Sequence, residues 1–320
     1  MSSIDPLKGY ELPPAWIRPA LNACRLFNTG LDGLFYDTPT LAQALLAHGD
    51  EIVTSDPGNA PTPGGEVNLS ADTDPEGSLL VVDPTTPPYV TAWKDVAAFI
   101  ADQAAAAEPV RVATITGVGS SALGSAALAW NVAIGLKRPA LAIVPGYGVA
   151  DALLQALGGW FGFGLHDFLD SKSRIQALLA AVAPRTAAIG RGLSASAPGH
   201  RTLNGAPVFR TGAGSSDVLH ALMQALPIEV VVGHSKGALS IANALRALPP
   251  GRTEGLEVIT LGCPIAEDLP GARYRQYLGR FDALGALNAW GHRPTRWLDT
   301  GHSTNTAFLL SMSAEALAAH

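Results

Sequence analysis

Residues 228–245 constrain the fold more than any other stretch of the chain. Ile228-Glu-Val-Val-Val232 favours a strand, Gly233-His-Ser-Lys-Gly237 is a turn, and an Ala, Leu and Ile run from Ala238 to Leu245 has helical period. An apolar strand that passes straight into an apolar helix needs a sheet to lie in and a second layer to pack on, which points to an α/β architecture. The turn also carries chemistry. A serine on a tight strand-to-helix bend holds its hydroxyl out, and only small residues two before and two after leave room for the crossing chain; Gly233 and Gly237 take those places around Ser235. The N–H of Lys236 then lies at a helix N-terminus, placed to receive a negative oxygen on a substrate bound at Ser235.

With 320 residues, 48% of them apolar, the chain can bury a large core, either as one big α/β domain or as one domain with an appendage. The net charge of −6 and the lack of a basic cluster argue against a nucleic-acid partner. Cys24 and Cys263 are too few and too far apart for a disulfide framework or a zinc site, so no metal is expected. The start, Met1-Ser-Ser-Ile-Asp-Pro, has no basic region leading into an apolar run, and no apolar stretch reaches bilayer length. A soluble, cytoplasmic protein without a transmembrane segment is the expectation.

Residues 1–90 read as an N-terminal extension packed on the core, with helices from Pro14 to Leu26 and from Thr38 to His48 and short strands at Glu66 to Leu69 and Ser78 to Val82. Residues 91–320 read as the main domain. Thr91 is expected to cap a helix from Ala92 to Ala107. Strands at Val110 to Thr116, Ala140 to Val144, Ile228 to Val232, Leu256 to Leu261, Arg275 to Phe281 and Arg296 to Leu298 then alternate with helices at Ser121 to Leu136, Ser215 to Leu226 and Ala238 to Leu248. Such alternation implies a mostly parallel sheet covered by helices on both faces, with ligands bound beyond the carboxyl ends of its strands.

After the first of these strands comes Thr116-Gly-Val-Gly-Ser-Ser-Ala122. Gly117-x-Gly119-x-x-Ala122 fits a dinucleotide loop, but that reading wants an acidic residue after the next strand, where Pro145-Gly146 stands. The favoured reading is an oxyanion loop in which the N–H of Val118 or Gly119 faces the site from the side opposite Lys236. No cofactor is implied.

The order of parts resembles the α/β-hydrolase superfamily, in Thr116-Gly-Val-Gly-Ser-Ser followed by a helix and Val144-Pro-Gly-Tyr-Gly-Val-Ala-Asp151. From Gly214 onward it is similar to bacterial class 3-like lipases and esterases, through Gly233-His-Ser-Lys-Gly237, Leu256-Glu-Val-Ile-Thr-Leu-Gly-Cys-Pro264, Tyr274-Arg-Gln-Tyr-Leu-Gly-Arg-Phe-Asp282 and Gly301-His302-Ser. Lys236 stands where such lipases carry Leu, and Thr116 where His is usual. The resemblance implies an α/β-hydrolase fold, with His302 in the family's place for the base.

A neutral imidazole must take the proton from Ser235. Of the histidines beyond it, His302 follows the last strand candidate on a Thr-Gly turn, His292 lies in a Gly-His-Arg-Pro loop, and His320 is the chain end. Asp282, closing an apolar strand, is favoured as the acid that orients the base, with Asp268 and Asp299 as alternatives. His234 is expected to pack beside the site. Lys236 reads as a surface lysine paired with a carboxylate in preference to a group that binds an anion. The insertion 148–214 carries Trp160, Phe161, Phe163 and Phe168, which would be costly to expose and so fill core or line an acyl pocket under a lid. The reading is a serine hydrolase acting on apolar carboxylic esters, with transfer to another acceptor, a thioesterase or a non-catalytic binding module as alternatives.

Overall fold

The computed structural model describes residues 30, 32–48, 77–93, 96–117, 120–145, 215–246, 248–249, 251–289 and 292–319, and two-residue strands at 10–11, 53–54, 190–191, 200–201 and 207–208. The expected helix at 14–26, the strand at 66–69, the helical run at 173–182 and the aromatic residues of the insertion lie outside the described residues.

One nine-stranded sheet dominates. In chain order its strands are β1 (Val53–Thr54), β2 (Leu79–Val82), β3 (Val90–Trp93), β4 (Val112–Ile115), β5 (Ala140–Ile143), β6 (Val230–His234), β7 (Glu257–Leu261), β8 (Arg273–Gly279) and β9 (Arg296–Leu298). Across the sheet they run β9-β8-β7-β6-β4-β5-β2-β3-β1. From β9 to β5 every neighbour is parallel; β2 alone is antiparallel to the strands on either side of it. The class is thus α/β with a mostly parallel sheet.

The helices include α1 (Thr38–His48), α2 (Val96–Ala105), α3 (Ala122–Leu136), α4 (Ser215–Ala225), α5 (Gly237–Arg246), α6 (Ala283–Asn288) and α7 (Ala314–Ala319). Side chains alternate along a strand, so each strand feeds two cores. Val230 and Val232 join Val112, Ala142, Ile259 and the apolar residues of α1, α3 and α7 on one face. Val231 joins Ala113, Leu141, Val258 and those of α2, α4 and α5 on the other. The apolar run Val230-Val-Val232 that opens the wholly buried β6 is what two covered faces require. No helix among the described residues is long and apolar enough to cross a membrane.

The expected helix from Ala92 departs from the structure. Val90-Thr-Ala-Trp93 instead forms β3, a hairpin partner of β2 in which Val90 pairs with Val82 and Trp93 with Leu79. Val, Thr and Trp suit a pleated, half-buried surface, and the alternating burial of β3 puts Val90 and Ala92 in the core; the helix begins only at Val96.

Candidate active site

The parallel strands end at one edge, and the singled-out residues follow them there. Thr116 and Gly117 come after β4, Ser235 after β6, Gly262 after β7, Asp282 after β8 and His302 after β9.

Ser235 has φ of 52°, a left-handed conformation that a side chain with a Cβ adopts at a cost of about 1–2 kcal/mol. Its N–H continues the ladder by donating to Leu261 O at 2.8 Å. The bend leaves no room at its flanks. A Cβ on Gly233 would lie 2.7 Å from Ala238 Cα, and one on Gly237 would lie 2.3 Å from the carbonyl oxygens of Ile115 and Thr116. The strained serine is therefore held by the packing of β4 and α5 around it. Lys236 begins the turn into α5. It is buried, at 5% exposure, which corrects the expectation of a surface lysine. Its charge reaches the thiol of Cys263, although burial dominates there and pushes that thiol up to about 12, leaving it without thiolate character.

Asp282 and His302 meet. His302 Nδ1 lies 2.8 Å from both carboxylate oxygens of Asp282. An ionised carboxylate only accepts, so the imidazole proton sits on Nδ1 and the Nε2 lone pair is left as a base. Asp282 Oδ1 also accepts the N–H of Gly285, capping α6 and helping to fix the carboxylate. Two glycines enclose the pair. A Cβ on Gly262, whose φ is 71°, would stand 3.0 Å from Asp282 Oδ2 and from His302 Nδ1, and one on Gly285 would meet Asp282 Oδ2 at 2.3 Å. The other acids lie elsewhere: Asp299 pairs with Arg280 in solvent, and Asp268 is exposed, as is His292.

Gly117 borders the serine, since its Cβ position lies 3.3 Å from Ser235 Cβ and 3.7 Å from Oγ. Its own N–H is taken by Tyr36 Oη at 2.8 Å. Val118, Gly119, Trp160, Phe161 and Phe163 lie outside the described residues.

The sequence reading missed the segment 32–37, helical over 32–35. Asp32 accepts the N–H of Ser121, the cap of α3, at 2.7 Å; burial pushes its carboxyl up to about 7 against the pull of hydrogen bonds from Ser121, Ser120 and Gly124. Phe35 sets its ring edge-on to His302, centroids 5.7 Å apart. Tyr36 Oη contacts His234 Nδ1 at 2.8 Å. His234 Nε2 lies 2.8 Å from the carbonyl of His302, and the two imidazole centroids are 4.8 Å apart. Burial, then the charge of His302, lowers the pKa of His234 to about 3, so it stays neutral. Asp37 accepts from Asn131 Nδ2 on α3 and, at 2.6 Å, from the N–H of Thr306. Ser303, Thr304 and Asn305 bond the carbonyls of Leu34, Phe35 and Gly33. The loop that carries His302 is thus stitched to this segment residue by residue.

Among the described residues no group of three or more His, Cys, Asp or Glu is arranged to hold a metal ion. No family model, no curated protein and no solved structure matches the chain.

Proposed function

We propose that the chain is a serine hydrolase of α/β-hydrolase type acting on apolar carboxylic esters. The observation that carries the reading is the Asp282–His302 pair at the strand edge where Ser235 sits at positive φ. Ser235 Oγ attacks the ester carbonyl carbon while His302 Nε2 takes its proton. The tetrahedral intermediate collapses to an acyl-serine, and the alcohol leaves with that proton. Water then attacks the acyl-serine, again through His302, and the acid departs with Ser235 restored. Asp282 keeps the imidazole in the right tautomer and stabilises its charged form. The oxyanion is assigned to the N–H of Lys236 and, across the site, to that of Val118 or Gly119. Gly117 is not assigned that role, because Tyr36 already takes its N–H.

Exposed apolar side chains that neighbour Asp282 and His302 along the chain support an apolar acyl group. Phe281 precedes Asp282 and is exposed, as are Phe308, Leu309 and Leu310, whose loop bonds back to Gly301 through Leu310 O at 2.6 Å. A cytoplasmic location belongs to this same reading.

A fluorophosphonate that reacts with activated serines tests the proposal. It should label the folded protein at Ser235, and His302→Ala should lower turnover of p-nitrophenyl esters by about 10⁴-fold or more while His292→Ala leaves it near wild type. A folded protein that takes no label and turns over no ester of short or medium chain overturns the reading.

A further inference from the structure

The buried chain from Gly117 through Tyr36 and His234 to His302 joins three pieces that the proposed reaction needs at fixed distances. One end is the loop bordering Ser235, the middle is the residue before Ser235, and the other end is the backbone of the base. The protons in this chain can be assigned. The carbonyl of His302 can only accept, so His234 Nε2 carries hydrogen and donates to it. His234 is neutral, so its Nδ1 bears a lone pair and must accept. Tyr36 therefore donates its hydroxyl proton to His234 Nδ1, and its oxygen accepts the Gly117 N–H. Every bond then runs one way, from Gly117 to Tyr36 to His234 to the His302 carbonyl.

Resting on the hydrolase reading, we infer that Tyr36 and His234 are positioning residues that lock the backbone of the base to the loop beside the nucleophile. His234 is no second base. Its lone pair is committed to Tyr36, and its neutrality avoids setting a fixed positive charge against the imidazolium that His302 must become in the transition state. Both rings are nearly sealed, Tyr36 at 2% and His234 at 1% exposure, so a lost partner leaves a buried polar group to be satisfied. The charged or titratable groups facing the pair are Asp32, whose charge acts on Tyr36, and His302, and the Ser120 side chain also hydrogen-bonds Tyr36.

The test compares wild type, Tyr36→Phe, His234→Leu and His234→Gln by ester kinetics and by the rate of fluorophosphonate labelling. Tyr36→Phe and His234→Leu are expected to lower kcat by about ten- to a hundredfold with KM within about twofold, the size of effect that a small displacement of catalytic groups produces. His234→Gln, which keeps an N–H for the His302 carbonyl and an acceptor for Tyr36, should recover most of the loss. A parallel measurement uses the folded wild type alone: ¹⁵N NMR of the His234 ring should show the neutral Nε2–H tautomer from about pH 5 to about pH 9. A His234 that titrates in that range or carries its proton on Nδ1 overturns the inference even if the variants do not fold. Active wild type with Tyr36→Phe and His234→Leu within about twofold of it also overturns the inference and leaves the hydrolase reading standing. Inactive wild type removes the hydrolase reading, and the locking role falls with it.

Discussion

Asp32 is a carboxyl that the folded state prefers protonated at mildly acidic pH. Its pKa rises from 3.8 to about 7 because burial outweighs the bonds from Ser121, Ser120 and Gly124. Between these two values the folded protein holds a proton that the unfolded chain has released. Its contribution to stability is therefore fully present below about pH 4 and is lost as pH rises to about 7, the reverse of the usual carboxylate. Asp32→Asn, which does not titrate, isolates this effect. The gap in urea midpoint between wild type and the variant should move against wild type on going from about pH 4.5 to about pH 8, by free energies on the order of a few kcal/mol. A gap independent of pH would mean that the carboxyl ionises alike in both states. Asp282 shows the other way to keep a buried carboxylate: Gly285 and His302 supply its donors within a close glycine-lined space.

At the scale of elements, the elbow depends on how closely α5 passes β4. Gly237→Ala forces a carbon to within 2.3 Å of two backbone carbonyl oxygens, Ile115 O and Thr116 O, neither of which can swing away as a side-chain tip would. A loss of about 1–3 kcal/mol of stability is expected by urea unfolding, together with slower phosphonate labelling. Gly33→Ala is the control, since its added carbon meets only Thr38 Oγ1 at 3.8 Å and should change stability by about 0.5 kcal/mol or less. Elements of this kind could be read from the sequence because their pattern is local. The Thr38–His48 helix and the Arg296–Leu298 strand lie where the sequence puts them, and the strand before Ser235 is shifted by two residues, starting at Val230 and running on through His234. The β2–β3 hairpin was missed because Ala92 to Ala107 has enough Ala and apolar spacing to continue a helix backwards. Only pairing with Leu79–Val82, a partner identified by three-dimensional contact, draws its first residues into the sheet.

At the scale of the molecule, the site is put together from opposite ends of the chain. Asp282 and His302 are separated by 20 residues and could be chosen from their positions after strands. Tyr36 and His234 are 198 residues apart and Thr304 and Phe35 are 269 apart, so no local pattern marks Gly33-Leu-Phe-Tyr-Asp37 as anything more than another short apolar stretch. Asp37 is the tie whose removal should show this best. Asp37→Ala strips acceptors from Asn131 and from the N–H and hydroxyl of Thr306, and should cost about 2–4 kcal/mol in urea unfolding. A variant as stable as wild type would mean that the two ends are held together by other contacts. Since residues 303–306 fasten to partners at 33–37, a growing polypeptide has no finished centre until the segment that carries them has left the ribosome. The proposed chemistry would then switch on only once synthesis has passed the base, and a product cut short before that point would be born inert.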